Sequence, residues 1–161
     1  AAVIEMNSAA GVLGRVNDQL LPDTQQGMFV TAVYGVLDVE CGEFTYVNAG
    51  HNPPFWVKKN GEIEKLTRTA VALGVMEQPN MMERTVALGE GDTLLLYTDG
   101  LTEAFSPNGE LFGDMRLMDS LKSIQASTAD EVLVGVEEHL NEFIETTPLG
   151  DDLTMLALRR V

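Results

Sequence analysis

Apolar residues recur at spacings of three and four between Ala10 and Leu21 (Val12, Leu13, Val16, Leu20, Leu21). That is the period of an amphipathic helix, and Pro22 stops it. Met28 to Leu37 is apolar at both parities (Phe29, Val30, Val33, Tyr34, Val36, Leu37), which predicts a strand buried on both faces. Cys41-Gly42 leads from it to a second strand, Glu43 to Ala49, and the two suggest a hairpin. Pro54 to Lys58 and Glu62 to Leu66 flank Lys59-Asn60-Gly61. Asn-Gly between extended runs is the strongest short hairpin signal, because both turn residues tolerate positive φ.

Glu83 to Leu88 and Thr93 to Tyr97 are further strand candidates joined by the turn composition Gly89-Glu90-Gly91-Asp92, which gives a sheet of at least six strands. The period then becomes helical. Asp114 to Ile124 is expected to bury Met115, Leu117, Met118 and Leu121, and Ala129 to Ile144 to bury Val132, Leu133, Val136, Leu140, Phe143 and Ile144. Thr128 and Glu131 have the spacing of a capping box. Pro148 and Gly150 end that region, and Leu153 to Arg160 returns as a last strand. Strands first, then two helices, then one strand predict an antiparallel α+β fold rather than a parallel alternation. The 161 residues suit one domain, 1–161, with no internal repeat or linker.

Charge narrows the functions. Ten lysines and arginines stand against 25 aspartates and glutamates, a net charge of −15, which disfavours nucleic acid and anionic lipid as partners. Ala87 to Val161 holds 15 of the acids against four bases, a local −11. Most of these are expected at a solvated surface, but concentrated carboxylates are also what hard divalent cations need. Cys41, the only cysteine, excludes an intrachain disulfide, and a thiolate zinc site unless another chain contributes. The natural reading is a reducing, cytoplasmic setting. No run is long enough for a membrane span, and the opening Ala1-Ala2-Val3-Ile4-Glu5 lacks the basic stretch of a signal peptide.

The common catalytic motifs are absent: no GxxxxGK[ST], GxGxxG, HExxH, GxSxG or CxxC. Carboxylates at strand boundaries remain, Asp99 after Thr93 to Thr98 and Asp151-Asp152 before Leu153 to Leu156. Strand ends hold side chains rigidly, which suits a metal site for magnesium or manganese. On spacing alone the commoner use of Asp99 is to cap a turn starting at Gly100, and that of Asp151-Asp152 is an exposed loop pair. His51, in Asn48-Ala49-Gly50-His51-Asn52-Pro53-Pro54, could act as general acid or ligand, although a turn histidine held by backbone hydrogen bonds is more usual. His139, beside Glu137 and Glu138, reads as a surface residue.

Four ordered segments change that balance. They are Met28 to Asp38, Tyr46 to Pro54, Leu96-Tyr97-Thr98-Asp99-Gly100-Leu101-Thr102-Glu103-Ala104, and Asp151-Asp152-Leu153-Thr154. Together they resemble the motifs of the bacterial SpoIIE-like branch of the metal-dependent type 2C (PPM) serine/threonine protein phosphatases, over about Ala10 to Val161. The resemblance implies an antiparallel β-sandwich flanked by helices. It also implies two Mn²⁺ or Mg²⁺ ions whose bridging water attacks a phosphoserine or phosphothreonine. Asp99 and Asp151 would be the catalytic metal ligands, and Gly100 and Asp152 of the same motifs would belong to the metal site with them. Asn48 and His51 would be active-site neighbours, and His51 stands where relatives carry another acid, which argues against a third metal there. The substrate class it implies is a phosphorylated regulator, typically an anti-anti-sigma factor of the STAS type, and a homodimer is left open.

One departure matters. The family opens with a strand hairpin holding a Gly-Asp motif and then an Asp-x-Ser-Gly-His-Gly segment, and neither is present. The chain therefore reads as an N-terminally truncated form lacking the first strands, in which two ligands alone would not fix a dinuclear centre tightly. This keeps a second reading in view, a catalytically silent module that retains the phosphatase scaffold to dock a regulatory partner. In either case Asp99 and Asp151, 52 positions apart, should lie at neighbouring strand ends.

Overall fold

The structure is a computed structural model that describes residues 8–24 and 27–161; the opening Ala1 to Glu5 lies outside them. In chain order the elements are α1 (Ala9–Leu20), β1 (Ala32–Leu37), β2 (Glu43–Ala49), β3 (Phe55–Val57), β4 (Ile63–Lys65), β5 (Arg84–Ala87), β6 (Thr93–Tyr97), α2 (Asp99–Thr102), α3 (Gly113–Ser123), α4 (Ala129–Ile144) and β7 (Met155–Arg159). Every strand pairing is antiparallel. Among the described residues, seven strands form two sheets, in orders β1-β2-β5 and β4-β3-β6-β7, so the expectation of one sheet of at least six strands is corrected. The chain divides into two compact units, Ala1–Pro53 with Leu66–Leu88, and Pro54–Lys65 with Gly89–Val161.

In the first unit Ser8 caps α1 by accepting from the Gly11 amide at 3.0 Å. The apolar stripe of α1 buries Ala9 and Leu13 against Val47, Ala49 and Leu73. Asn17, fully buried one turn further on, donates to the Met76 carbonyl (3.1 Å) and accepts from the Gly74 amide (2.9 Å), which pins the helix to the 74–76 loop. The Met28 to Leu37 run is not buried on both faces. Its regular part is an edge strand on which Tyr34 and Val36, two apart and so on one face, are exposed, as are Met28, Phe29 and Val30 ahead of it.

The second unit carries the larger core. Val132, Val136, Leu140 and Ile144 of α4 and Leu117 and Leu121 of α3 are buried with Phe55, Leu95, Tyr97 and Leu101, and Leu133, Met118 and Phe143 pack partly buried against them. Phe143 meets Phe112 edge-on, with centroids 5.3 Å apart. Met115 is exposed rather than buried. It lies two residues, about 200° of helix rotation, from Leu117, so it points away from the core face. The Thr128 and Glu131 capping box is formed, and amides of Ser127 and Thr128 donating to the Glu131 carboxylate hold that group below its usual pKa. His139 is half-buried against expectation. Its Nδ1 is shut off from solvent and has no partner among the described residues.

Two turns differ from their sequence reading. The β3–β4 hairpin exists, but only Gly61 has positive φ; Asn60 does not. The Gly61 amide donates to the Lys58 carbonyl (2.9 Å) and the Lys58 amide to the Glu62 carbonyl (2.8 Å). This is a turn closed by one left-handed glycine, not a two-residue type I′ turn. The Gly89 to Asp92 segment does not close a hairpin, since β5 pairs with β2 and β6 with β3 and β7. Its anchor is the buried Asp92 carboxylate, which accepts from the Trp56 indole, the Lys59 amide and the Gly89 amide, each at 2.9 Å. Three donors offset the cost of burying that charge.

Candidate metal centre

The β6–β7 ladder ends with Tyr97 opposite Met155. One step beyond it, the Thr98 amide donates to the Thr154 carbonyl (3.0 Å) and the Thr154 amide to the Thr98 hydroxyl (2.9 Å). That hydroxyl in turn donates to the Asp152 carbonyl at 2.9 Å. The chain entering Asp99 is thereby tied to the chain leaving Asp151-Asp152. Gly100 shows how close the two segments come: a Cβ there would lie 2.5 Å from the Asp152 carbonyl oxygen and 3.1 Å from that of Asp151. Gly100→Ala is expected to cost about 1–3 kcal/mol, because the new carbon meets rigid backbone. Urea denaturation checks this, and a loss under ~0.5 kcal/mol would mean the segments can part freely.

The side chains at this end are hard oxygen donors. Asp99, Asp151 and Asp152 are all exposed. Asp99 is the first residue of α2, and Thr98 holds the cap position without a side-chain cap bond, so the expected Asp99 cap is not formed. Its carbonyl accepts from the Glu103 amide at 2.8 Å. One oxygen of Asp151 accepts from the Asp152 amide at 2.7 Å, which fixes the direction of its carboxylate. Behind the site the Tyr97 hydroxyl donates to Asp114 (3.2 Å), and burial, then the Asp114 charge, holds the phenol above its usual pKa.

These donors fit magnesium or manganese in kind, since carboxylate oxygens suit hard ions and a position without a Cβ lets the two segments close up. Among the described residues no three His, Cys, Asp or Glu gather around one point. Magnesium asks for only one or two carboxylates, with water and substrate phosphate completing its shell.

Asn48 and His51 belong to the first unit. Buried Asn48 is spent on the fold: its amide nitrogen donates to the Leu66 carbonyl (3.4 Å), its side-chain oxygen accepts from the His51 amide (2.9 Å), and its backbone amide donates to the Thr69 hydroxyl (3.0 Å). The His51 Nδ1 lies 3.1 Å from the Thr31 hydroxyl, and the His51 carbonyl accepts from Arg68 at 3.3 Å. The residue that sequence reasoning missed is Thr98. Its signal was a threonine at each of two strand ends, Thr98 and Thr154.

The model of the stage II sporulation protein E (SpoIIE) family matches residues 2–161. The chain is 36% identical over 133 residues to Protein IcfG of Synechocystis, across 83% of this chain and 21% of IcfG. It is 28% identical over 150 residues to phosphoserine phosphatase RsbU of Bacillus subtilis, across 92% of this chain and 44% of RsbU. It therefore spans less than half of either relative. Among solved structures, the SiaA-PP2C domain of Pseudomonas aeruginosa superposes with a TM-score of 0.78 at 23% identity, over 94% of this chain and 61% of that one, a likeness of fold. With almost every residue under the family model, and an antiparallel α+β fold shared with a PP2C phosphatase domain, the chain belongs to the SpoIIE family.

Proposed function

We propose that this chain is a serine/threonine protein phosphatase domain that releases phosphate from a phosphorylated regulatory protein, an anti-anti-sigma factor of the STAS type, in the cytoplasm. The observation that carries this reading is the tying of the Asp99 segment to the Asp151-Asp152 segment through Thr98, in a SpoIIE-family chain similar to a phosphoserine phosphatase. Asp99 and Asp151 would hold Mn²⁺ or Mg²⁺, with Gly100 allowing the approach and Asp152 orienting Asp151. When bound, such ions neutralise phosphoryl oxygens and lower the pKa of water, so the chemistry needs no covalent enzyme nucleophile. Thr98 keeps the two carboxylate-bearing segments in register without itself touching the phosphate. Among the described residues no helix is long and apolar enough to cross a membrane.

The second reading is a silent docking module, favoured by the lack of a third gathered ligand among the described residues. One experiment separates them. A phosphorylated STAS-domain protein is mixed with the protein carrying this chain, with Mn²⁺ or with EDTA. Phosphate release that needs Mn²⁺ supports the phosphatase, complex formation without release supports the module, and neither result would remove both.

A further inference from the structure

Basic residues are scarce in this chain, ten in 161. Four of them, Lys58, Lys59, Lys122 and Arg159, nonetheless line one depression of about 270 Å³ in the second unit, and no Asp or Glu lines it. They arrive from separate places: the β3–β4 turn, the last turn of α3, and the end of β7, where Arg159 pairs with Thr93. Two are already compensated. The Lys58 ammonium is paired with Glu62 (3.1 Å) and Glu64 and lies over the Trp56 ring, and Lys122 has Asp119 at 3.6 Å. Lys59 and Arg159 make no ion pair within 4.0 Å among the described residues, although Arg159 is attracted by the Glu131 carboxylate at longer range.

Arg159 is held in place and Lys59 stands at an exposed turn position. Arg159 donates from Nη1 to the Thr93 hydroxyl at 3.0 Å. The Lys59 stem lies against Gly91, where a Cβ would come within 2.9 Å of its Cδ and would make the stem shift. Between them the wall is apolar, with Leu121, Ile124 and Val132, and Gln125 adds an amide. In a chain whose overall field repels anions, only a local cluster of this kind can attract one.

We infer that this depression binds a small organic dianion, its phosphate or phosphonate head between Lys59 and Arg159 and its apolar body on Leu121 and Val132. It opens at the Thr93 end of β6, and Asp99 lies six residues, roughly 20 Å of strand, away. The site is therefore separate from the carboxylate end of the sheet, and it stands whether or not the chain is a phosphatase.

The test is titration of the ¹⁵N-labelled chain with phenylphosphonate, in EDTA so that divalent ions play no part. Saturable shifts are expected at the amides of Gly61, Gly91 and Gln125, with a Kd of about 1 mM or tighter. Lys59→Glu, at an exposed turn position, and Arg159→Gln should each weaken binding at least about fivefold, as loss of one charge-assisted contact requires. Asp99→Asn should leave it unchanged. Shifts centred on Asp99 and Asp151, unaltered affinity in Lys59→Glu, or inorganic phosphate binding as tightly as phenylphosphonate would each overturn the inference. So would a polyglutamate peptide that binds more tightly, since it would assign the depression to an acidic protein segment.

Discussion

Asp99→Asn should lower Mn²⁺-dependent phosphate release by at least about a hundredfold and leave the fold intact. The Asp99 carboxylate is exposed and makes no hydrogen bond or ion pair among the described residues. An amide of the same shape should therefore change stability by no more than about 0.5 kcal/mol. Removing residues that merely orient metal ligands costs roughly 10–100-fold, so a direct ligand should cost at least the upper end of that range. The measurement is hydrolysis of an aryl phosphate and of the phosphorylated regulator, with melting temperatures recorded for both proteins. Calorimetric titration with Mn²⁺ supplies a second readout, in which the variant should lose the heat the parent shows. Activity above a tenth of the parent's, or equal heats, would remove Asp99 from the metal site.

Leu140→Ala should destabilise the protein by about 2–5 kcal/mol, the cost of emptying a well-packed core site. Leu140 is 2% exposed and shares its cluster with Val136, Ile144 and Leu117. The same helix supplies its control, since Val134 is 52% exposed and its replacement by Ala should stay within about 0.5 kcal/mol. Denaturant unfolding of both variants decides the matter. A Leu140 loss below about 1 kcal/mol would mean that the face collapses around the vacancy.

Local chemistry explains which elements could be read from the chain. The α4 stripe and its Thr128–Glu131 box lie within one stretch of sequence, and both are present as expected. The β3–β4 hairpin was likewise legible, although Asn-Gly over-specified its turn, since the glycine alone takes the left-handed conformation. Pairing between distant strands was not legible. Thr85 lies opposite Thr45, 40 positions upstream, and nothing in the Gly89 to Asp92 turn says that β5 and β6 join different sheets. A continuous apolar run such as Met28 to Leu37 fits an edge strand as well as a buried one, because periodicity reports side-chain character and not the number of neighbours. The approach of the Asp99 and Asp151-Asp152 segments depends on the Tyr97–Met155 register, a long-range fact. Only the order of the four motifs hinted at it.

The β3–β4 hairpin has a consequence for how the chain is made. Residues 54–65 leave the first unit, join the second, and are followed by a return to the first. The backbone thus passes between the units three times, and no single cut frees either one whole. During synthesis β3 and β4 emerge with neither β6 nor β7 yet available, and a lone two-stranded ribbon is barely stable in water. The four-stranded sheet must wait for β6 to join β3 and for β7, which follows β6 only after α2, α3 and α4, to complete it. Folding of that sheet is expected to be slow and late. A ribosome-stalled chain ending before Asp152 should leave β6 with an open edge and Thr98 without Asp152 and Thr154.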